Sequence, residues 1–318
     1  MIVMITFLLN ACGARQPFDA EKLPLSPTLR QWQPVSSPRA VVLGLHSFGD
    51  YSAAFTQLGP LFANAGIYLE SYDQAGFGER QIEGRWAGES LLVKEAARRI
   101  AYLSEVYHQP VFVMGESLGG AVAILAALEH PQSVAGIILS GPAVREGIRF
   151  RYTWNAAIAS AAALAPGYRV KVERDPQDPL LAPSQARRLA QDDKIIRQVR
   201  LDSYWGLIQL ADSASDLAPT LNHNDTPVLL LYGERDTSVP EAGIVALRQH
   251  LQGQLTYHAI AQGPHLLLQG KQWQTTGNLI IDWVKQQQDT LQVLQSRPAS
   301  HSADTAFGPP GQLQARSD

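Results

Sequence analysis

From Arg39 onward, short apolar runs alternate with longer stretches of helical periodicity. The runs at 40–45, 67–72, 111–114 and 134–140 predict strands, and 51–65, 88–107 and 118–130 predict the helices between them. This is a βα repeat with short connections, so the pattern implies a mainly parallel sheet covered by helices on both faces, an α/β architecture. Two further units follow, strand 227–232 with helix 241–251 and strand 254–260 with helix 271–288. Residues 143–222 break the alternation and predict an inserted helical cap, with helices over 154–165, 184–196 and 201–212. The first of these stops at Pro166-Gly167, and the Asp175-Pro176 and Asp178-Pro179 steps predict turns. The core is then 39–142 with 223–294. Before it, 1–12 is an apolar leader and 13–38 a Pro-, Gln- and Ser-rich linker with an edge strand near Leu29-Arg30-Gln31-Trp32. The tail 295–318 has a composition that predicts disorder.

One junction carries chemistry. The apolar run Val111-Phe112-Val113-Met114 leads into Gly115-Glu116-Ser117-Leu118-Gly119, and an Ala/Leu-rich helix continues from Ala121. A Gly-x-Ser-x-Gly turn between strand and helix is a nucleophile elbow. The turn is tight, so side chains two residues before and after the serine must vanish. The hydroxyl of Ser117 is a weak nucleophile and needs a base, itself oriented by a carboxylate. Sites of this kind carry them in chain order Ser, Asp or Glu, His. Asp236 sits just past the strand Val228-Leu229-Leu230-Leu231-Tyr232, and His265 in the loop after the run Leu255 to Ile260. Glu234 is the rival acid but lies closer to the strand end. His258 lies within a strand, where a packed or surface role is expected. His46 ends the first core strand, where a structural role is expected.

With these residues placed, the chain resembles the α/β-hydrolase family, in particular its monoacylglycerol-lipase and lysophospholipase branch. The resemblance rests on Leu45-His46-Ser47-Phe48-Gly49, Tyr72-Asp73-Gln74-Ala75-Gly76-Phe77-Gly78, Gly115 to Gly120, Tyr232-Gly233-Glu234-Arg235-Asp236 and Gly263-Pro264-His265. It implies an α/β-hydrolase fold and oxyanion donors at the backbone N–H groups of Phe48 and Leu118. Ser47 stands where the branch has glycine, and Ala75 where it has arginine. The activity implied is cleavage of carboxylic esters through an acyl-enzyme, of monoacylglycerols or lysophospholipids. A small-ester carboxylesterase, an aminopeptidase-like hydrolase and a non-catalytic binding scaffold are the alternatives.

Composition narrows the rest. The 318 residues are 45% hydrophobic and 17% charged, with 26 Lys plus Arg against 29 Asp plus Glu, net charge −3. No basic stripe points to nucleic acid. One cysteine and no His-Glu-x-x-His leave no metal-site motif, and the proposed chemistry needs no cofactor. That cysteine is placed informatively. Leu9-Asn10-Ala11-Cys12, after a short apolar run, resembles the lipobox of bacterial lipoproteins, although no Lys or Arg precedes the run. The resemblance implies a lipidated Cys12, a lipid-anchored enzyme of the bacterial cell envelope and a membrane surface as partner; the alternative is a cytoplasmic enzyme.

Overall fold

The computed structural model describes residues 28–146, 148–251 and 255–296, with backbone alone for the helical residues 148–154 and 295–296. Cys12 and its leader lie outside the described residues, as do 297–318.

Seven strands form one sheet in the order β1-β3-β2-β4-β5-β8-β9. They are β1 (Leu29–Trp32), β2 (Ala40–Leu45), β3 (Ile67–Tyr72), β4 (Val111–Glu116), β5 (Val134–Ser140), β8 (Val228–Gly233) and β9 (Leu255–Ile260). Only β1 runs antiparallel, at the edge against β3; the other pairings are parallel. Strands β2, β3, β4 and β8 are buried at every residue. Their side chains feed two cores, one on each face of the sheet. Val41, Leu43, Val113 and Leu230 pack beneath α2 (Glu89–Tyr107) and α3 (Leu118–Glu129). Val42, Phe112, Met114 and Leu231 pack beneath α1 (Leu58–Asn64) and α8 (Trp273–Ser296), whose Phe62, Ile280, Trp283 and Val284 cover that face. Each such side chain contributes about 1.5–3 kcal/mol through burial, which is why the strand runs carry no polar alternation. Helix α3 is apolar all round because the sheet lies on one side and α2 and α6 (Leu201–Leu217) on the others.

The cap elements lie between β5 and β8: α4 (Ile148–Leu164), β6 (Arg169–Lys171), α5 (Pro183–Gln191), β7 (Gln198–Arg200) and α6. The remaining helix, α7 (Glu241–His250), follows β8. Several boundaries differ from those expected. The single helix expected at 51–65 is a 3-10 turn at Ser52–Phe55 followed by α1. The break has a cause: Asp73 Oδ1 accepts both the backbone N–H and the hydroxyl of Ser52, at 3.0 and 2.6 Å, and fixes the turn on the sheet. Helix α5 stops at Gln191 rather than 196, because Asp192 turns the chain by accepting the Lys194 N–H at 2.9 Å. Helix α6 runs on to Leu217 and α8 to Ser296, two residues into the expected tail. The antiparallel pair β6–β7 has no counterpart in the expected elements.

Helix α3 abuts the end of β2 so closely that a Cβ added at Gly119 would lie 2.0 Å from the Leu45 carbonyl oxygen. Backbone meets backbone there, and neither can step aside. Gly119→Ala should therefore cost about 3 kcal/mol or more in urea unfolding, or prevent soluble accumulation. Gly167→Ala, whose added atom would come no nearer than 3.5 Å to a flexible arginine, should stay within about 0.5 kcal/mol of the parent.

Candidate active site

Strand β4 ends at Glu116 and α3 begins at Leu118, leaving Ser117 alone to turn the chain. It does so at φ 55° and ψ −116°, a conformation that costs a non-glycine residue about 1–3 kcal/mol. The surroundings enforce it. The Ser117 N–H donates to the Ser140 carbonyl at 3.0 Å, and the Ser117 carbonyl accepts from Gly120 and Ala143 at 2.9 and 2.8 Å. A Cβ at Gly115 would lie 2.1 Å from the Gly119 carbonyl oxygen, so both flanking glycines are required by contact.

His265 and Asp236 meet the serine from two other strand ends. His265 Nε2 lies 2.9 Å from Ser117 Oγ, and His265 Nδ1 lies 2.7 Å from Asp236 Oδ2. The Asp236 side chain is fully buried, and its Oδ1 accepts the N–H groups of Ser238 and Val239 at 2.7 and 3.0 Å. A carboxylate held this way accepts the Nδ1–H, which leaves Nε2 free to accept from the serine hydroxyl. Glu234 and His258 are exposed, and His258 sits on the edge strand β9. The structure therefore joins Ser117, His265 and Asp236 and leaves both rivals outside.

The loop after β2 frames the other side. His46 is fully buried; its Nε2 accepts the Gln74 N–H at 3.0 Å, so its Nδ1–H donates to the Ser47 carbonyl at 2.9 Å. Burial holds its pKa below the ordinary histidine value, so it is neutral and structural. Phe48 packs edge-on against Phe77, with ring centroids 5.4 Å apart. Among the described residues, the N–H groups of Phe48 and Leu118 donate to no protein acceptor. Phe48, Ser117 and His265 all line one cavity of about 960 Å³, whose remaining wall is largely apolar and comes mostly from the cap, with Thr237 to Pro240 and Leu266 completing it. Among the described residues no cluster of His, Cys, Asp or Glu is arranged to hold a metal ion.

Residues outside the sequence reading tie the parts together. Glu116, the variable residue of the elbow, is buried and accepts the Leu268 N–H at 2.9 Å and the Gln269 side-chain N–H at 2.8 Å. Gln269 Nε2 also lies 3.1 Å from Asp50 Oδ2, and Arg188 of α5 grips Asp50 with both terminal nitrogens, at 2.6 and 2.9 Å. The Ile196 N–H donates to the Gly49 carbonyl at 2.9 Å, a second tie from cap to loop. Burial pushes the Asp50 carboxyl up, but the charge and hydrogen bonds of Arg188, together with smaller contributions that include the Tyr51 N–H, hold the group below the ordinary aspartate value. Glu116 has no such cation, and desolvation lifts its pKa to about 7. A lone glutamate inside the elbow motif gives no sign of these partners in sequence.

The raised Glu116 value has a definite sign. The folded protein binds this proton more tightly than the unfolded chain, so the stabilisation is complete below the ordinary glutamate value. It is lost as pH rises through about 7. Glu116→Gln should remove that dependence. Comparing urea unfolding of parent and variant, the variant's relative stability should rise between pH 5 and pH 8, by up to about 3 kcal/mol. Parallel profiles for the two proteins would contradict the shift.

The comparisons agree with this geometry. The family described as "Serine aminopeptidase, S33" matches residues 36–272. The human protein named monoglyceride lipase is 24% identical over 268 residues, covering 82% of this chain and 87% of that protein. A Mycolicibacterium smegmatis protein named monoacylglycerol lipase is 26% identical over 223 residues, covering 67% and 75% respectively. Among solved structures, the monoacylglycerol lipase of Paleococcus ferrophilus superposes with a TM-score of 0.68 at 21% identity, covering 83% of this chain and all of that one. The fold is thus that of an α/β-hydrolase, and the chain belongs to the serine aminopeptidase S33 family of α/β-hydrolases.

Proposed function

We propose that the protein is a serine hydrolase of lipid-like carboxylic esters, with Ser117 as nucleophile, His265 as general base and acid, and Asp236 as its orienting carboxylate. The observation that carries this reading is the continuous chain Ser117–His265–Asp236, at 2.9 and 2.7 Å, opening on a largely apolar cavity. His265 Nε2 takes the Ser117 proton as Oγ attacks the acyl carbon. The oxyanion so formed is held by the N–H groups of Phe48 and Leu118, each such donor lowering the barrier by about 3–4 kcal/mol. His265 returns the proton to the leaving alcohol, and water then cleaves the acyl-enzyme by the same path reversed. Asp236 holds the imidazole tautomer and stabilises its charged form.

Long-chain monoesters of glycerol or lysophospholipids are the substrate class. The relatives named monoglyceride lipase support this choice, as does the cavity wall from α4 and α6 that includes Ile158, Leu207 and Ile208. The peptidase reading is less well supported. Among its described lining residues the cavity carries one carboxylate, Glu146, and no carboxylate pair to hold an α-amine. The membrane-facing part of the reading rests on Cys12 and on the exposed Leu164, Tyr168 and Tyr204 of the cap segment. No helix among the described residues is long and apolar enough to cross a membrane, so Cys12 would be the anchor and the cell envelope the location.

Ser117→Ala should reduce kcat/KM on p-nitrophenyl and monoacylglycerol esters by roughly 10⁴–10⁶-fold at unchanged Tm. Asp236→Asn should cost roughly 10⁴-fold. Turnover surviving the serine change would remove the nucleophile assignment. Expressed in a bacterium that processes lipoproteins, the protein should fractionate with membranes, and Cys12→Ser should release it or arrest its maturation. A parent protein found wholly in the soluble fraction would refute the anchor.

A further inference from the structure

The cavity beside Ser117 has one feature that a neutral monoester leaves unused. Strand β6 pairs with β7, and the pairing continues for one residue, with the Val172 N–H bonded to the Arg197 carbonyl at 2.8 Å. Side chains of an extended segment alternate between two sides. Val170, Val172 and Arg174 line the cavity. Lys171 and Glu173 project the other way, into solvent, and pair with each other at 3.3 Å. The chain thus separates its charges: a matched pair outside, and a cation in register with two valines on the cavity side.

Arg174 has no hydrogen-bond or ion-pair partner among the described residues, and it is accessible to solvent and hence to an entering ligand. The acids near enough to act on it are Asp50 and Asp178. Neither makes a hydrogen bond or ion pair with it. Asp50 is held by Arg188 and Gln269, and Asp178 Oδ1 accepts the Leu180 N–H at 2.9 Å. The other cation on the cavity wall, Arg145, is bonded to Asn155 and Asp212. An arginine beside an apolar wall, with five donors in a planar fork and no acceptor, matches a phosphate or carboxylate group. Its position toward Asp50, on the oxyanion-loop side, leaves the wall of α4 and α6 to the acyl chain.

We propose that Arg174 is a specificity-determining residue of this cavity, and that the preferred substrates are acyl esters carrying a negative charge on the alcohol side. This inference rests on the serine ester-hydrolase reading above and narrows its substrate class. The bound anion accepts hydrogen bonds from the Arg174 guanidinium while Ser117 attacks the ester at the other end. Charge-assisted bonds of this kind discriminate by roughly 10–100-fold.

Three esters of one acyl chain test it: 1-oleoylglycerol, its 3-phosphate, and its monosuccinate joined through the 3-hydroxyl. The parent enzyme should favour at least one anionic ester over the neutral one in kcat/KM by tenfold or more. Which anionic ester wins distinguishes a phosphate site from a carboxylate site. Arg174→Gln, checked for folding by its Tm, should reduce the anionic-to-neutral ratio at least tenfold, and Arg174→Lys should restore part of it. A parent enzyme indifferent to charge, or an Arg174→Gln variant that slows all three esters equally, would overturn the proposal while leaving the hydrolase reading intact. Absence of turnover on all three esters and on p-nitrophenyl esters would overturn both readings. Both anionic esters below the neutral one would overturn this one alone.

Discussion

The architecture depends on one backbone contact, the approach of the first turn of α3 to the end of β2. With the Leu45 carbonyl oxygen 2.0 Å from where a Gly119 Cβ would lie, the two main chains touch with nothing between them. That contact forces Ser117 alone to make the turn from β4 into α3, and so produces its left-handed φ. It also places the N-terminal end of α3 beside the loop that begins at His46. Among the described residues the N–H groups of Phe48 and Leu118 have no protein acceptor, and partial positive charge from the helix end beside Ser117 favours an oxyanion. The local strain persists because the backbone bonds to Ser140, Gly120 and Ala143 leave no alternative path.

A second constraint is a buried polar chain that runs under the site. Glu116 from the elbow, Gln269 from the segment after His265, Asp50 from the oxyanion loop and Arg188 from the cap are linked by successive hydrogen bonds. Such groups are costly to bury and are tolerated only when fully partnered. The cost ties four sequence-distant segments to one geometry: a shift of the cap helix α5 would take the guanidinium from Asp50, and a shift of Gln269 would take a side-chain donor from both Asp50 and Glu116. The two acids respond oppositely to their surroundings. Asp50, with a guanidinium bound, stays charged easily, whereas Glu116, with uncharged donors for partners, gives up much of its acidity.

The cap therefore has two distinct relations to the core. Through Arg188 and Ile196 it braces the oxyanion loop, and through α4, β6 and α6 it walls the cavity. The first relation belongs to the reaction and the second to substrate choice. They use different side chains, so the wall can change without disturbing the brace.

Much of this was legible along the chain because it is local. Strand runs buried on both faces must be largely apolar, so β2, β4 and β8 show themselves without any knowledge of their neighbours, whereas β3 carries the buried polar residues Glu70 and Ser71 within its run. Gly115, Ser117 and Gly119 are set by a turn five residues long, and Asp236 and His265 by their places after strands. The break between Ser52 and Leu58 was not legible, since it depends on Asp73, a residue in the loop after β3. Nor were β6 and β7, three-residue strands that exist only because they pair across the cap. The same holds for Glu116, Gln269, Asp50 and Arg188: each is an ordinary polar residue until burial and distance make it part of a chain. Sequence by itself determined the sheet, the elbow and the order of the candidate triad, because hydrophobic periodicity and turn sterics act over a few residues. Only the tertiary structure decided which acid meets His265, what supports the oxyanion loop and which cation lines the cavity without a partner among the described residues, because those depend on contacts between segments far apart in the chain.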